Sequence, residues 1–213
     1  MSNPSTVTDP RVANELGVAI MSVYRYVSAK EDLLLMMVDT GLGDPPDPVP
    51  GESWREGLTR WVQAVRSAYQ RHPWSLRVPI GGAPLGPNNV AYLESALTSL
   101  NRVDLSEQEK ISTVILLSGF VRNETTLNAD ILAASASGAQ PATGYGEMLS
   151  VLTTEDDFPA LHRTIESGAF DDDDDLDQEF DFGLACILDG VEALMKRNRK
   201  HRRPPTSARS RLT

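Results

Sequence analysis

A glycine at position 17 stands between two short runs whose apolar residues repeat at helical spacing, which leaves this part of the chain few ways to fold. Residues 11–16 put Val12, Ala13 and Leu16 on one face of a first helix. Gly17 falls where a helix ends in a left-handed residue, a conformation glycine adopts without a Cβ penalty. Val18 is expected in the turn, and residues 19–27 form a second helix with Val23 and Val27 inward. Ile20, Ser22, Tyr24, Arg25 and Tyr26 are left for its other faces. Ser28 and Glu31 match the S-x-x-E capping box, so a third helix opens there and carries Leu33, Leu34 and Met37.

Two short helices crossing steeply at a glycine turn are the geometry that lays a helix in the DNA major groove. The side chains suit that task. Tyr24 and Tyr26 carry hydroxyls that reach phosphates, Arg25 reaches a base edge or a phosphate, and Lys30 lies in the first turn of the next helix. A plain helical hairpin inside a bundle has the same spacing, so the pattern alone leaves both readings open.

The rest of the chain reads as helices separated by breaks. Residues 41–50, rich in glycine and proline, mark the boundary between a head and a body. Residues 53–72 carry Trp54, Leu58, Trp61, Val62, Val65 and Tyr69 at helical spacing and stop at Pro73. Residues 74–87 hold too many glycines and prolines for a regular element, and no phosphate-binding loop pattern is present. Residues 88–101 resume a helix with Val90, Leu93, Leu97 and Leu100 inward. Ser106 and Glu109 form another capping box, opening a helix through about residue 134 that spans about 40 Å. It is apolar nearly all round near residues 116–120, which implies burial on two sides, against its own domain and a partner. Residues 135–146 read as loop, followed by short helices at 145–152 and 158–167. The five aspartates at 171–175 read as a solvated loop, because ordered cation sites need spaced ligands. The last helix, from 176 to about 199, carries a stripe of Phe180, Leu184, Ile187, Leu188, Val191, Leu194 and Met195. Strand-like alternation is absent, so the fold class is all-α.

Charge and cysteine narrow the setting. Eight of the 20 Lys and Arg residues fall in residues 196–213, where there is no acid. The other 12 face 30 acids, a balance of −18 for residues 1–195. The basic tail at 200–213 reads as disordered and solubilising, with non-specific attraction to DNA as its alternative use. No apolar run approaches the ~20 residues needed to span a bilayer, and no signal-peptide pattern opens the chain. Cys186, the one cysteine, lies in an apolar helix and is expected to be a buried small hydrophobe. With no disulfide framework, a reducing cytoplasm is the expected location. The three histidines are scattered, and neither H-E-x-x-H nor G-x-S-x-G occurs, so no enzyme is read here.

The run LGVAIMSVYRYVSAKEDLLLMMVD closely resembles the TetR family of one-component transcriptional regulators, through Leu16, Gly17, Val18, Ser22, Val23, Tyr24, Tyr26, Val27, Lys30 and Leu33. The body resembles the tetracycline-repressor type, with a tryptophan-bearing helix ending in His-Pro, then PLGPN, then long helices. The resemblance implies a helix-turn-helix head at 1–43 and a ligand-binding and dimerisation domain at 51–199. DNA contacts would come from Ile20, Ser22, Tyr24, Arg25, Tyr26 and Lys30. A small-molecule effector would be lined by Trp61, Val65, Arg77, Leu85, Asn89, Leu93 and Phe120, each of which also reads as simple core. A homodimer would form through the long middle helix and the last helix, matching a two-fold operator. Tetracycline-binding members hold magnesium through a histidine just before the Gly-Pro loop. The corresponding LRVPIGGAP has none, so neither metal nor cofactor is expected.

One departure from the family pattern stands out. The family's head opens with a further helix ahead of the position of Arg11, and the nine residues MSNPSTVTD cannot span it. Its loss would uncover Val12, Leu16, Val23 and Val27, at about 1 kcal/mol or more each. Residues 1–42 also hold three basic residues against five acids, a poor balance for approaching phosphates. The expectation is therefore a truncated head, from an upstream start or a damaged DNA-binding domain. The sequence reading is an effector-released repressor, with a dimeric small-molecule-binding or protein-interaction module of weak DNA binding as the alternative. Under the repressor reading, Tyr26→Ala or Lys30→Ala should weaken operator binding by about 1 kcal/mol or more while leaving the melting temperature nearly unchanged. Parallel loss of folding would make these residues structural.

Overall fold

The computed structural model describes residues 30–80, 85–138, 144–170 and 176–202, together with Gly17. Among these residues the chain forms α-helices and one 3-10 helix, with no strand. In chain order they are α1 (Lys30–Leu42), α2 (Trp54–Arg71), the 3-10 helix (Pro73–Arg77), α3 (Pro87–Ser99), α4 (Glu107–Ala136), α5 (Tyr145–Leu152), α6 (Pro159–Glu166) and α7 (Leu176–Arg202). The chain is all-α, as its periodicity requires. Gly17 has a φ of +66°, the left-handed value anticipated for the turn at that position.

Local chemistry sets several helix ends. Acids Glu31 and Asp32 occupy the first turn of α1, where the helix dipole favours them. Gly43, just past its last residue, has a φ of +70° and ends the helix in the left-handed conformation. The Ser28 capping position lies outside the described residues. Ser53 caps α2 reciprocally: the Glu56 N–H donates to Ser53 Oγ at 3.3 Å and the Ser53 N–H to the Glu56 carboxylate at 2.7 Å. Ser106 and Glu109 repeat this at the head of α4, at 3.3 and 2.7 Å. The α4 helix is 30 residues long, about 45 Å.

The inner face of α2 is the centre of the core. Leu58 and Val62 are fully buried, with Trp61, Val65 and Ala68 nearly so, and α2 packs against α1, α3 and the 3-10 helix. Burial of each large side chain is worth roughly 1.5–3 kcal/mol. Gly57 lets α3 come close, since a Cβ there would lie 2.6 Å from Ser99 Oγ. From α4 the core receives Val114, Leu117 and Val121, and from α7 Leu184, Leu188, Val191 and Met195. Polar ties fix these long helices. Arg55 on α2 pairs with Asp189 at 2.7 Å and Glu192 at 3.5 Å on α7. Asn198 donates to the Asp104 carbonyl and the Glu109 carboxylate, binding the end of α7 to the start of α4.

Several expectations are corrected. The glycine- and proline-rich stretch after His72 is not devoid of regular structure: Pro73 starts a 3-10 helix, as proline's fixed φ allows at a first helical position. On α3 the buried face is Tyr92, Ala96 and Leu100, while Val90 and Leu93 point outward. The strict i, i+4, i+8 series wins because α3 packs on α2 through its aromatic and small residues. Cys186 is exposed rather than buried, since the buried stripe of α7 runs through Leu184 and Leu188 on either side of it. The loop expected from residue 135 begins later, after Ala136, and α7 runs to Arg202. The aspartate run at 171–175 and the tail beyond residue 202 lie outside the described residues.

The chain divides into two compact units, Met1–Thr126 with Leu184–Thr213, and Leu127–Gly183. Within the second, α5 packs on α6, the Tyr145 and Phe170 rings meet edge to face at 5.6 Å, and the His162 ring lies 3.2 Å from Thr153 Oγ1. Among the described residues no helix is long and apolar enough to cross a membrane.

The capping box at Ser106 gives a pH prediction. The Ser106 backbone N–H, its hydroxyl and then Asn198 all bond the Glu109 carboxylate and hold it below the usual range. The folded state thus favours the ionised form. Its stabilisation is complete above the ordinary glutamate value of about 4.3 and fades as pH falls through the lowered folded value. Urea midpoints measured from neutral to strongly acid pH should fall less steeply on the acid side for Glu109→Gln than for the parent chain.

Candidate functional site

The residues proposed to line an effector site come from four helical elements of the first unit and, with Leu85, the loop ahead of α3. Trp61 and Val65 lie one turn apart on the inner face of α2 and are buried. The Trp61 indole N–H donates to the Tyr92 carbonyl at 2.8 Å, and the two rings meet edge to face at 6.2 Å. Burial pushes the Tyr92 phenol up, so it stays neutral through the physiological range. Asn89 is half-buried at the start of α3, and Phe120 half-buried on α4. Leu85, Leu93 and Arg77 are exposed. Trp61, Val65 and Asn89 thus stand on the packed α2–α3 pair, while Leu85, Leu93 and Arg77 face outward.

Two residues of this region escaped the sequence reading. Arg122 on α4 donates to the carbonyls of Leu76 and Val78 at 2.8 and 2.9 Å, satisfying carbonyls that the end of the 3-10 helix leaves free. The second is Asp39 on α1, a carboxylate only 4% exposed that binds the start of α3. A signal for it exists in the sequence. Gly86 precedes Pro87 at the head of α3 and offers no side chain to cap it, so the cap has to come from elsewhere. Arg122 has no such signal, because nothing local pairs it with a carbonyl 44 residues away.

Of the residues proposed to touch DNA, Lys30 is the first residue of α1, and Ile20, Ser22, Tyr24, Arg25 and Tyr26 lie outside the described residues. Apolar side chains remain in solvent on both long helices, with Ile115 66% and Leu116 53% exposed on α4 and Phe182 68% exposed on α7. Among the described residues no group of three or more His, Cys, Asp and Glu is placed to hold a metal.

An all-helical body built on two long helices, preceded by an LGV-x₃-S-V-Y-x-Y sequence, is the organisation of a helix-turn-helix regulator. The comparisons agree. Residues 47–195 match the family described as tetracyclin repressor-like, C-terminal domain. Over 208 residues the chain is 30% identical to the HTH-type transcriptional repressor DrrR1 of Streptomyces coeruleorubidus, covering 91% of this chain and 73% of that protein. Apo ActR from Streptomyces coelicolor superposes with a TM-score of 0.71 at 26% identity, over 89% of this chain and 88% of that one. ActR in complex with actinorhodin gives a TM-score of 0.70 at 25% identity, with the same coverage. The chain belongs to the TetR family of transcriptional regulators.

The α2–α3 contact can be tested directly. Trp61→Phe keeps the apolar packing but removes the donor to the Tyr92 carbonyl. It should cost about 1 kcal/mol in chemical denaturation with little change in slope. A larger loss would mean that the indole ring itself fills space that phenylalanine leaves empty.

Proposed function

We propose that the chain is a homodimeric repressor that binds operator DNA through its head and leaves it when a small molecule enters the body. The observation that carries this reading is the likeness to the repressor DrrR1, which is 30% identical and covers 91% of this chain. ActR, 25% identical, holds actinorhodin in its complex, which supports a small-molecule effector. Ile20, Ser22, Tyr24, Arg25, Tyr26 and Lys30 face the DNA in this reading, and the packed α2–α3 pair with Trp61, Val65 and Asn89 borders the effector. The head spans residues 1–43, the effector and dimer domain 51–199, and the basic tail 200–213. In this reading the protein works in the cytoplasm, where its DNA partner lies.

The dimer reading rests on the apolar side chains that α4 and α7 leave in solvent. Ile115 and Leu116 follow each other on the side of α4 away from its buried Val114 and Leu117, and Phe182 is exposed on α7. Pairing these helices with their copies would remove that surface from water and supply the two-fold symmetry an operator with two half-sites needs.

Two measurements test the reading. The full chain, titrated against the DNA upstream of its own gene across a salt series, should bind with a strong salt dependence and a preference over scrambled duplex. Absence of binding by a dimeric, folded chain would point instead to a small-molecule-binding module without a DNA role. Leu116→Glu should weaken the dimer by about 100-fold or more in sedimentation equilibrium, since it places an unpaired charge in an apolar interface. An unchanged association would remove α4 from the dimer contact.

A further inference from the structure

The start of α3 is capped by a residue on another helix. Gly86 holds the N-cap position with φ −66° and ψ 151°, and supplies no side-chain hydrogen bond. Pro87 has no N–H, so the first free donors of α3 are the amides of Asn88 and Asn89. Both donate to Asp39, at 3.2 Å to Oδ2 and 2.8 Å to Oδ1. The Asn89 side chain adds a bond to Oδ1 at 2.6 Å, and the Asn88 side chain donates to the Asp39 carbonyl at 2.9 Å. The negative charge sits where the α3 dipole is positive. Among the described residues no lysine or arginine pairs with Asp39, and the partners its carboxylate has there are amides of Asn88 and Asn89. Gly86 has an ordinary φ and is required for a different reason: a Cβ there would overlap the Asp39 carboxylate.

We propose that Asp39 is the positioning residue through which α1 and α3 move as one body, so that it couples the head to the effector domain. This inference rests on the repressor reading above and adds the element that transmits the signal. The α1 helix follows the proposed helix-turn-helix segment in the chain, and α3 carries Asn89 and the Tyr92 carbonyl that receives the Trp61 N–H. The contact has little tolerance. A shift of about 1 Å between the helices takes the amides out of hydrogen-bond range, and the carboxylate, almost without water, is then left uncompensated. Any displacement of α3 therefore drags α1, or else breaks the cap as a unit. By reciprocity an effector and DNA change each other's affinity by the same factor, and with Asp39 carrying that coupling, DNA held at the head is felt at the α3 amides that Asp39 binds.

That reciprocity allows a test that needs no effector. Amide hydrogen exchange of Asn88 and Asn89 is followed in the full chain, with and without a duplex of the DNA upstream of its own gene. In the parent protein, duplex binding should change exchange at these two amides by about tenfold. Asp39→Asn, which keeps the shape but loses the charge, should bind the duplex yet show no duplex-dependent change there. Gly86→Ala, which leaves Asp39 intact but pushes its carboxylate away, should lose the same response, and it serves if Asp39→Asn melts too low to measure. A purely structural cap would alter basal exchange in both variants but leave the duplex-dependent change in place, and that result overturns the coupling role. A parent chain that binds the duplex with both amides unmoved overturns it as well. Failure of the parent to bind any duplex overturns the repressor reading, and the coupling role with it.

Discussion

Everything placed around the first unit leans on the inner face of α2. Leu58, Trp61, Val62, Val65 and Ala68 form a stripe on the helix that meets α1, α3 and the 3-10 helix. The stripe is made possible by two ends that are fixed locally, Ser53 with Glu56 at the start and Pro73 after the finish. The close approach of α3 at Gly57 and the indole bond to the Tyr92 carbonyl hold α3 against α2, and with it the residues proposed to border an effector. Function in this chain is thus a matter of how helices sit on a common support.

Much of this was legible in the sequence, and the reasons are physical. Capping boxes are local, so Ser106 with Glu109 could be read directly and is found bonded as read. Long apolar stripes are likewise local, and the α7 series from Phe180 to Met195 stands as expected, with Ile187 and Leu194 only half-buried at its margin. Short helices were harder. Around α3, Leu100 is buried as read, but Val90 and Leu93 turn outward, and Tyr92 and Ala96 take the face against α2. The 3-10 helix was hidden because proline and glycine mark breaks in general and only sometimes mark a helix start.

The candidate site was less legible than the fold. Its polar ties join residues far apart in sequence: Arg122 to the carbonyls of residues 76 and 78, Asp39 to residues 88 and 89. No periodicity encodes such pairs. Only the second left a trace, in a helix start with neither a capping side chain nor a first N–H. Exposure of Leu85 and Arg77 could not be read either, since an apolar or long side chain next to a loop has no fixed face until the loop is built.

The apolar side chains that α4 and α7 leave in water have a further consequence for the dimer proposed here. A protomer that buries part of its hydrophobic surface only against a copy of itself does not own its stability. Folding and association then form one equilibrium, and the midpoint of unfolding belongs to the solution as much as to the chain. Dilution acts on such a protein as a mild denaturant. In a cell holding few copies, the number of molecules present would set both how much regulator is assembled and how long each chain survives unfolded.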